Sequence, residues 1–283
     1  MPFSVKILRF FGILLLSLCA LGVAGMTWAY LIEPNLLFVR KVDYRVPQWK
    51  GKGTPVKVVI AGDLHLMPTA FDEVRALRYV QRIMRLRPDL ILLVGDYARG
   101  SSENASMDPA TAARLLKGLT APCGVFAIQG NHDFTFGWNN WSRELKQAGI
   151  TVLEDQSALV TFRTEGSFSF PEYWIRRAMS ENGCPNASRR TSPISCFPTV
   201  RKRTAYFPME TWTSSSAGTP TEARFALLSA SCGLKPARTM PLPYTYPWHI
   251  SGGNTYLITK GLGTSTLPLR FNCPPEIYLL ELH

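Results

Sequence analysis

Between residues 56 and 153, apolar strand-like runs alternate with amphipathic segments. This alternation constrains the fold more than any other feature of the chain. VKVVIA (56–61), LILLV (90–94), VFAI (125–128) and TVL (151–153) read as buried strands. Between them, 72–86 reads as a helix, with Val74, Leu77, Val80, Ile83 and Met84 on one face. Residues 110–119 and 138–148 read as further helices, the last ended by Gly149. Strands that alternate with helices imply an α/β fold whose sheet has parallel neighbours.

In such sheets ligands bind beyond the carboxyl ends of the strands. Three short motifs fall there: Gly62-Asp63-Leu64-His65, Gly95-Asp96-Tyr97 and Gly130-Asn131-His132-Asp133. Each follows its strand directly, and each has a Gly that allows a tight exit and close backbone approach. Asp, His and Asn suit a hard or borderline metal such as Mn²⁺, Fe or Zn²⁺. Asp63 and His65, two apart on an extended strand end, are expected to point to one side. Singly, each motif reads as an ordinary turn or helix cap. At three successive strand ends, in this order, they read as one site.

DxH, then GD, then GNHD, in a βαβαβ setting, resembles the calcineurin-like metallophosphoesterases. The N-terminal apolar segment and the C-terminal run from Gly261 to Ile277 resemble the membrane-associated bacterial YaeI/YkuE-type branch of that family. The resemblance covers about 50–168 and 249–282. It implies two mixed β-sheets flanked by helices, an αββα sandwich, and two divalent metal ions (Mn, Fe or Zn). It implies that Asp63 and His65 bind the first metal, Asp96 bridges both and Asn131 binds the second. His132 would steady phosphoryl oxygens or protonate the leaving group, with Asp133 orienting its ring. The implied activity is hydrolysis of a phosphoester, as a phosphodiesterase or phosphatase, on a lipid-linked or nucleotide substrate.

The family completes its site with three further His, in motifs like SHEPD and GHxHGG. This chain has four His in all, at 65, 132, 249 and 283, and neither motif. The gap coincides with a change of composition. All eight Asp lie in the first 155 residues. Residues 171–248 hold ten Lys or Arg against four Glu, which is +6 of the formal +11, along with ten Pro. That stretch lacks helical or strand periodicity over most of its length and is expected to be largely irregular. Building each codon from the last base of one residue and the first two of the next gives a reason. Ala217 to Ala223 can be encoded so that the shifted frame reads Gly-His-Thr-His-Gly-Gly. Arg189 to Ile194 can be encoded to give Ser-His-Glu-Pro-Asp, and Pro171 to Ile175 admits Gly-Ile-x-Asp. All three use one offset and occur in the family's order. We read 171–248 as the family sequence out of frame, shifted between about 164 and 170 and restored near 248–254. A genuine divergent basic insert is the other explanation. On either reading three metal-ligand His are absent, and two-metal activity is expected to be impaired.

Residues 10–32 carry no charge, which is long enough to cross a hydrocarbon core. Trp28 and Tyr30 near its end fit an aromatic belt. We read it as an uncleaved transmembrane anchor, with a cleaved signal peptide as the competing reading. Flanking charges leave orientation open: Arg40, Lys41, Arg45, Lys50 and Lys52 follow the segment, Lys6 and Arg9 precede it. The expected organisation is a tail (1–9), the anchor (10–32), a linker (33–54) and the phosphoesterase domain (55–283), in a single-pass protein of the bacterial inner membrane. With 46% hydrophobic residues a disordered chain is excluded, and six Cys in 283 residues exclude a disulfide scaffold. The alternative function is a non-catalytic, membrane-tethered binding protein whose basic middle contacts nucleic acid or lipid headgroups. Nucleic acid fits poorly, since the Arg are scattered and lack interleaved aromatics on a regular element. Mononuclear phosphatase chemistry on Asp63, His65 and Asp96 alone is a third reading.

Overall fold

The computed structural model describes residues 3–45, 54–99, 105–135, 137–154, 157–160, 173–176, 205–207, 224–229, 248–251, 254–264 and 267–283. Its main sheet has six strands in the order β1-β12-β2-β3-β4-β5. These are β1 (Phe38–Tyr44), β2 (Val56–Ala61), β3 (Leu90–Leu93), β4 (Val125–Ala127), β5 (Thr151–Val152) and β12 (Glu276–Leu282). β2, β3, β4 and β5 are parallel neighbours, as the alternation predicts. β12 runs antiparallel to β2 and parallel to β1, so the sheet is mixed.

The helices fall where the apolar spacing places them, but the buried face of the first one is turned: Ala76, Tyr79, Val80 and Ile83 face the core, while Val74 and Leu77, expected on that face, are exposed. α2 (Ala70–Arg85) is capped by Thr69, whose side chain accepts from the Asp72 amide. Asp72 in turn accepts from the Met67 amide at 2.8 Å, which satisfies two donors that would otherwise be orphaned. α3 (Pro109–Leu116) starts on Asp108, whose carboxylate accepts from Thr111, with Pro109 in the first turn. α5 is Trp138–Gln147. Strand alternation divides the sheet's side chains between two cores. Val59, Ala61, Ile91, Leu93, Ile277 and Leu279 share one with Tyr79, Ile83, Leu116, Trp141 and Leu145 from the helices. Val58, Ile60, Leu90, Leu92, Phe126, Tyr278 and Leu280 form the other. Burying each such side chain stabilises the fold by roughly 1.5–3 kcal/mol. Sheet and flanking helices are therefore interdependent.

A second mixed sheet has the order β10-β11-β9-β8. It comprises β8 (Ala205–Phe207), β9 (Arg224–Ser229), β10 (Trp248–Ser251) and β11 (Asn254–Thr259). β9 and β11 are parallel, and the other pairs are antiparallel. β6 (Ser157–Val160) and β7 (Tyr173–Arg176) form an antiparallel pair. Two mixed sheets agree with the implied α/β architecture. Two expectations need correction. The stretch expected as a linker, 33–54, carries β1, because Val39 and Val42 find apolar neighbours beside β12. The expectation of irregular backbone across 171–248 fails at β7, β8 and β9, where apolar runs such as Phe225-Ala226-Leu227-Leu228 are strand-forming whatever their origin. The Asn131, His132 and Asp133 of GNHD open the short helix α4 (Asn131–Thr135). The positions of the out-of-frame motifs, 189–194 and 217–223, lie outside the described residues.

The N-terminal segment is one helix, α1 (Phe3–Thr27), extended by a wider π turn (Trp28–Ile32) and a 3₁₀ turn (Glu33–Asn35). It is long and apolar enough to cross a membrane.

Candidate metal centre

The exits of β2, β3 and β4 are laced together by main-chain hydrogen bonds. The amides of Asp63, His65 and Leu66 donate to the carbonyls of Gly95, Asp96 and Tyr97 at 2.9–3.0 Å. Parallel pairing thus continues one bridge further, at Leu66 and Ala98. On the other side, the Gly263 amide donates to the Asp63 carbonyl at 2.6 Å and that of Leu262 to Gly62 at 3.1 Å. The loop after β11 therefore closes the site from the C-terminal half of the chain.

The backbone here is not extended. Asp63, His65 and Asp96 have φ of 51°, 45° and 56°, the left-handed region that costs a side-chain-bearing residue energy. The expectation that Asp63 and His65 align through strand alternation is corrected: two left-handed turns bring them together instead. The approach is close enough to demand glycine opposite. A Cβ on Gly130 would lie 2.0 Å from Asp96 Oδ1, and one on Gly261 2.5 Å from Asp63 Cβ.

The side chains converge. His65 Nε2 lies 3.6 Å from Asp63 Oδ1 and 3.9 Å from Asp96 Oδ2. The other ring nitrogen, Nδ1, is 2.9 Å from the Ala98 carbonyl, which makes it a donor and turns Nε2 towards the carboxylates. Nε2 is buried and has no hydrogen-bond partner. The His132 ring stands edge-on to His65 with centroids 4.8 Å apart. One donor atom from each of His65, Asp96 and His132 lies within 4.8 Å of the others. Asn131, the remaining predicted ligand, is the first residue of α4.

Asp133 ties main-chain amides together. It is wholly buried, and both its oxygens serve main-chain amides. Oδ2 accepts from Asp96 and Gly130 at 2.8 Å each, and Oδ1 from Ala98 at 2.9 Å. It staples the β3 exit to the β4 exit. A further amide, that of His132, donates to Asp96 Oδ1 at 2.9 Å and holds that carboxylate in place.

So many carboxylates in so little water are electrostatically uncomfortable. Burial, then the charges of Asp63 and Asp133, push Asp96 up to about 8. Burial likewise raises Asp133, against its three amides. Burial works against protonating His65, but Asp63 and Asp96 outweigh it and hold the imidazole above its usual range. A cation relieves all of this at once. An unpartnered buried imidazole nitrogen, with carboxylate oxygens at 3.6 and 3.9 Å, fits a metal ion. Two donors at about 2.0–2.2 Å on one tetrahedral ion stand roughly 3.3–3.6 Å apart.

Two groups outside the motifs complete the cradle. The Ala98 carbonyl orients the His65 ring, and no residue-type signal points to a carbonyl. Arg270, 1% exposed, donates to the carbonyls of Gly261 (3.1 Å), Gly263 and Cys273 (2.8 Å), so it shapes the loop that backs Asp63. A lone Arg in the C-terminal run was its only mark in the sequence.

This fold and site define a class. Residues 56–184, a little under half of the chain, match the calcineurin-like phosphoesterase family. The family's members are hydrolases acting on phosphoester bonds. Among curated proteins, the chain is 32% identical over 122 residues to an uncharacterised metallophosphoesterase of Aquifex aeolicus, covering 42% of this chain and 44% of the relative. It is 32% identical over 124 residues to the UDP-2,3-diacylglucosamine pyrophosphatase LpxG of Chlamydia muridarum, covering 42% and 35%. It is also 25% identical over 271 residues to the phosphodiesterase YaeI of Escherichia coli, covering 92% and 93%. The first two alignments thus span less than half of either relative's length.

Proposed function

We propose that the chain is a membrane-anchored, metal-dependent phosphoester hydrolase, a phosphodiesterase or phosphatase, whose second metal position is incomplete. The observation that carries this is the unpartnered His65 Nε2 facing Asp63 and Asp96, with His132 beside it. Asp63, His65 and Asp96 would hold the first ion, and Asp96 and Asn131 would reach the second. A pair of Mn, Fe or Zn ions, when bound, supplies Lewis-acid polarisation of the phosphoryl group and a nucleophilic hydroxide. His132, half-buried at the mouth, is the protein's own group for holding a phosphoryl oxygen or donating a proton to the leaving oxygen. Asp133 acts through the backbone, keeping Asp96 and the His132 turn in register.

The substrate class is a lipid-linked or nucleotide phosphoester. A pyrophosphatase named for a diacylated nucleotide sugar and a phosphodiesterase among the relatives support this reading. The apolar α1 supports a single pass through the bacterial inner membrane. We read 171–248 as out-of-frame coding sequence. The loss of every Asp after 155 supports this. Its consequence is a chain that keeps the first metal position and loses most of the second. Equilibrium dialysis against Mn²⁺ tests the site directly. One ion per chain is expected, abolished by His65→Ala. No uptake, or uptake indifferent to His65→Ala, would sink the proposal.

A further inference from the structure

The metal centre and the end of the apolar helix lie at the same end of the sheet. β1 begins at Phe38 opposite Glu276, and β12 runs antiparallel to β2 with Tyr278 opposite Ile60. Phe38 therefore starts level with the carboxyl end of β2, where Asp63 and His65 follow. The junction is rigid. Glu33, 3% exposed, accepts from the Trp28 indole at 2.8 Å and from the amides of Asn272 (3.0 Å) and Cys273. The Arg270 amide donates to the Ala29 carbonyl at 2.9 Å. The helix end is thus bolted to the loop that backs Asp63.

The exposed apolar side chains of the domain follow the same geography. Beyond Phe38, the large exposed hydrophobic residues among the described ones are Phe71, Val74, Leu77, Phe134, Leu267 and Phe271. Phe271, 71% exposed, sits between two residues bound to the helix end. Phe134, 56% exposed, is two residues after His132. Phe71 is in the first turn of α2, which follows the Gly62–Thr69 connection from β2, and Leu267 is in the loop that carries Arg270. Among the described residues none lies on α3 or α5, and Val74 and Leu77 continue the set from Phe71 along α2. Scattered exposed hydrophobics need no explanation, but a set gathered largely at one end, beside an apolar helix, does.

We propose that this rim — Phe71, Phe134, Leu267 and Phe271 around the metal-centre mouth — beds into the bilayer that α1 enters, so that the site opens onto lipid headgroups. Aromatic side chains favour that depth, where an apolar body can leave water beside polar groups. The substrate this implies is an amphiphile whose phosphoester sits at headgroup level. That implication rests on the phosphoesterase reading, while the rim contact does not.

The test uses the full chain in phosphatidylcholine–phosphatidylglycerol vesicles doped with phosphatidylcholine bearing a diazirine on its acyl chain. Irradiation is followed by peptide mapping. Adducts are expected on α1 and also on the peptides holding Phe71, Phe134 and Leu267–Phe271, at least about fivefold above those on α3. The combined F71S/F134S/F271S variant is expected to lose the rim adducts and keep those on α1. Adducts confined to α1, rim labelling no higher than α3, or rim labelling unchanged in the variant would overturn the proposal. Mapping of the unsubstituted chain stands whether or not the variant folds. A chain that labels at the rim yet takes up no Mn²⁺ sinks the phosphoesterase reading and leaves the rim standing. Uptake of Mn²⁺ with labelling confined to α1 does the reverse.

Discussion

Asp133→Asn tests the staple made by the last residue of the GNHD motif. In the structure its carboxylate takes three buried amides: Asp96 and Gly130 on Oδ2, Ala98 on Oδ1. Asparagine has one acceptor oxygen. Its best orientation sets that oxygen where two amides meet and turns its NH₂ towards the Ala98 N–H, which is left unsatisfied. A buried unsatisfied donor costs about 1–3 kcal/mol, and the two retained bonds each lose roughly 1 kcal/mol of charge assistance. Removing a buried charge returns part of this, since burial already raises the Asp133 pKa. The net expectation is a loss of about 2–4 kcal/mol. For a domain of this size that is a fall of about 5–15 °C in melting temperature. Thermal unfolding of the detergent-solubilised chain, followed by tryptophan fluorescence, measures it. A melting temperature unchanged to within about 1 °C would refute the staple.

Gly130→Ala places a methyl 2.0 Å from Asp96 Oδ1, so Mn²⁺ affinity should fall at least about tenfold while the far-UV circular dichroism spectrum is kept. Unchanged affinity would mean the approach is looser than drawn. Asp96, raised to about 8, is mostly protonated at pH 7 and must ionise to bind a cation. His65, also raised, must lose its proton too. Metal uptake at pH 7 should therefore release between about one and two protons, falling towards zero above about pH 9. Affinity should rise with pH through about 8. Calorimetry in buffers of different ionisation enthalpy counts those protons, and none released at pH 7 would contradict the crowding of charge described here. Glu33→Ala strips the partner from two main-chain amides and an indole, and should speed amide hydrogen exchange at Asn272 and Cys273. Exchange there at the unsubstituted rate would mean that the helix end is held by other contacts.

The strands and helices of 56–153 were legible because buried parallel strands and amphipathic helices each leave a clear period in the sequence. Val56–Ala61 was predicted to the residue, and Trp138–Gln147 to within one. β1 was not legible: FVRKVDY mixes charge with short apolar residues, and only its partner β12, more than two hundred residues away, makes it a strand. At the site, the residue types at the strand ends identified Asp63, His65, Asp96 and His132. How they meet was hidden, because left-handed φ at three non-glycine residues is a product of the surrounding hydrogen bonds rather than of local preference. The staple was hidden for the same reason. A carboxylate beside a histidine invites pairing the two, whereas the amides that claim Asp133 belong mostly to another strand exit. Arg270 and Glu33 carry no motif at all, and their roles are visible only when the chain ends come together.

The central claim is that this domain is a phosphoesterase with one half of its metal centre formed on the β2, β3 and β4 exits and the other half encoded out of frame. Mn²⁺-dependent hydrolysis of an aryl phosphodiester, measured on the chain as it stands and on the product of its gene with the frame of 171–248 restored, tests this most directly. The restored protein, carrying the regained Ser-His-Glu-Pro-Asp and Gly-His-Thr-His-Gly-Gly motifs, should hydrolyse the diester at least about a hundredfold faster and lose that gain on His65→Ala. Equal rates for the two proteins, or a gene in which the shifted frame does not encode those motifs, would contradict it.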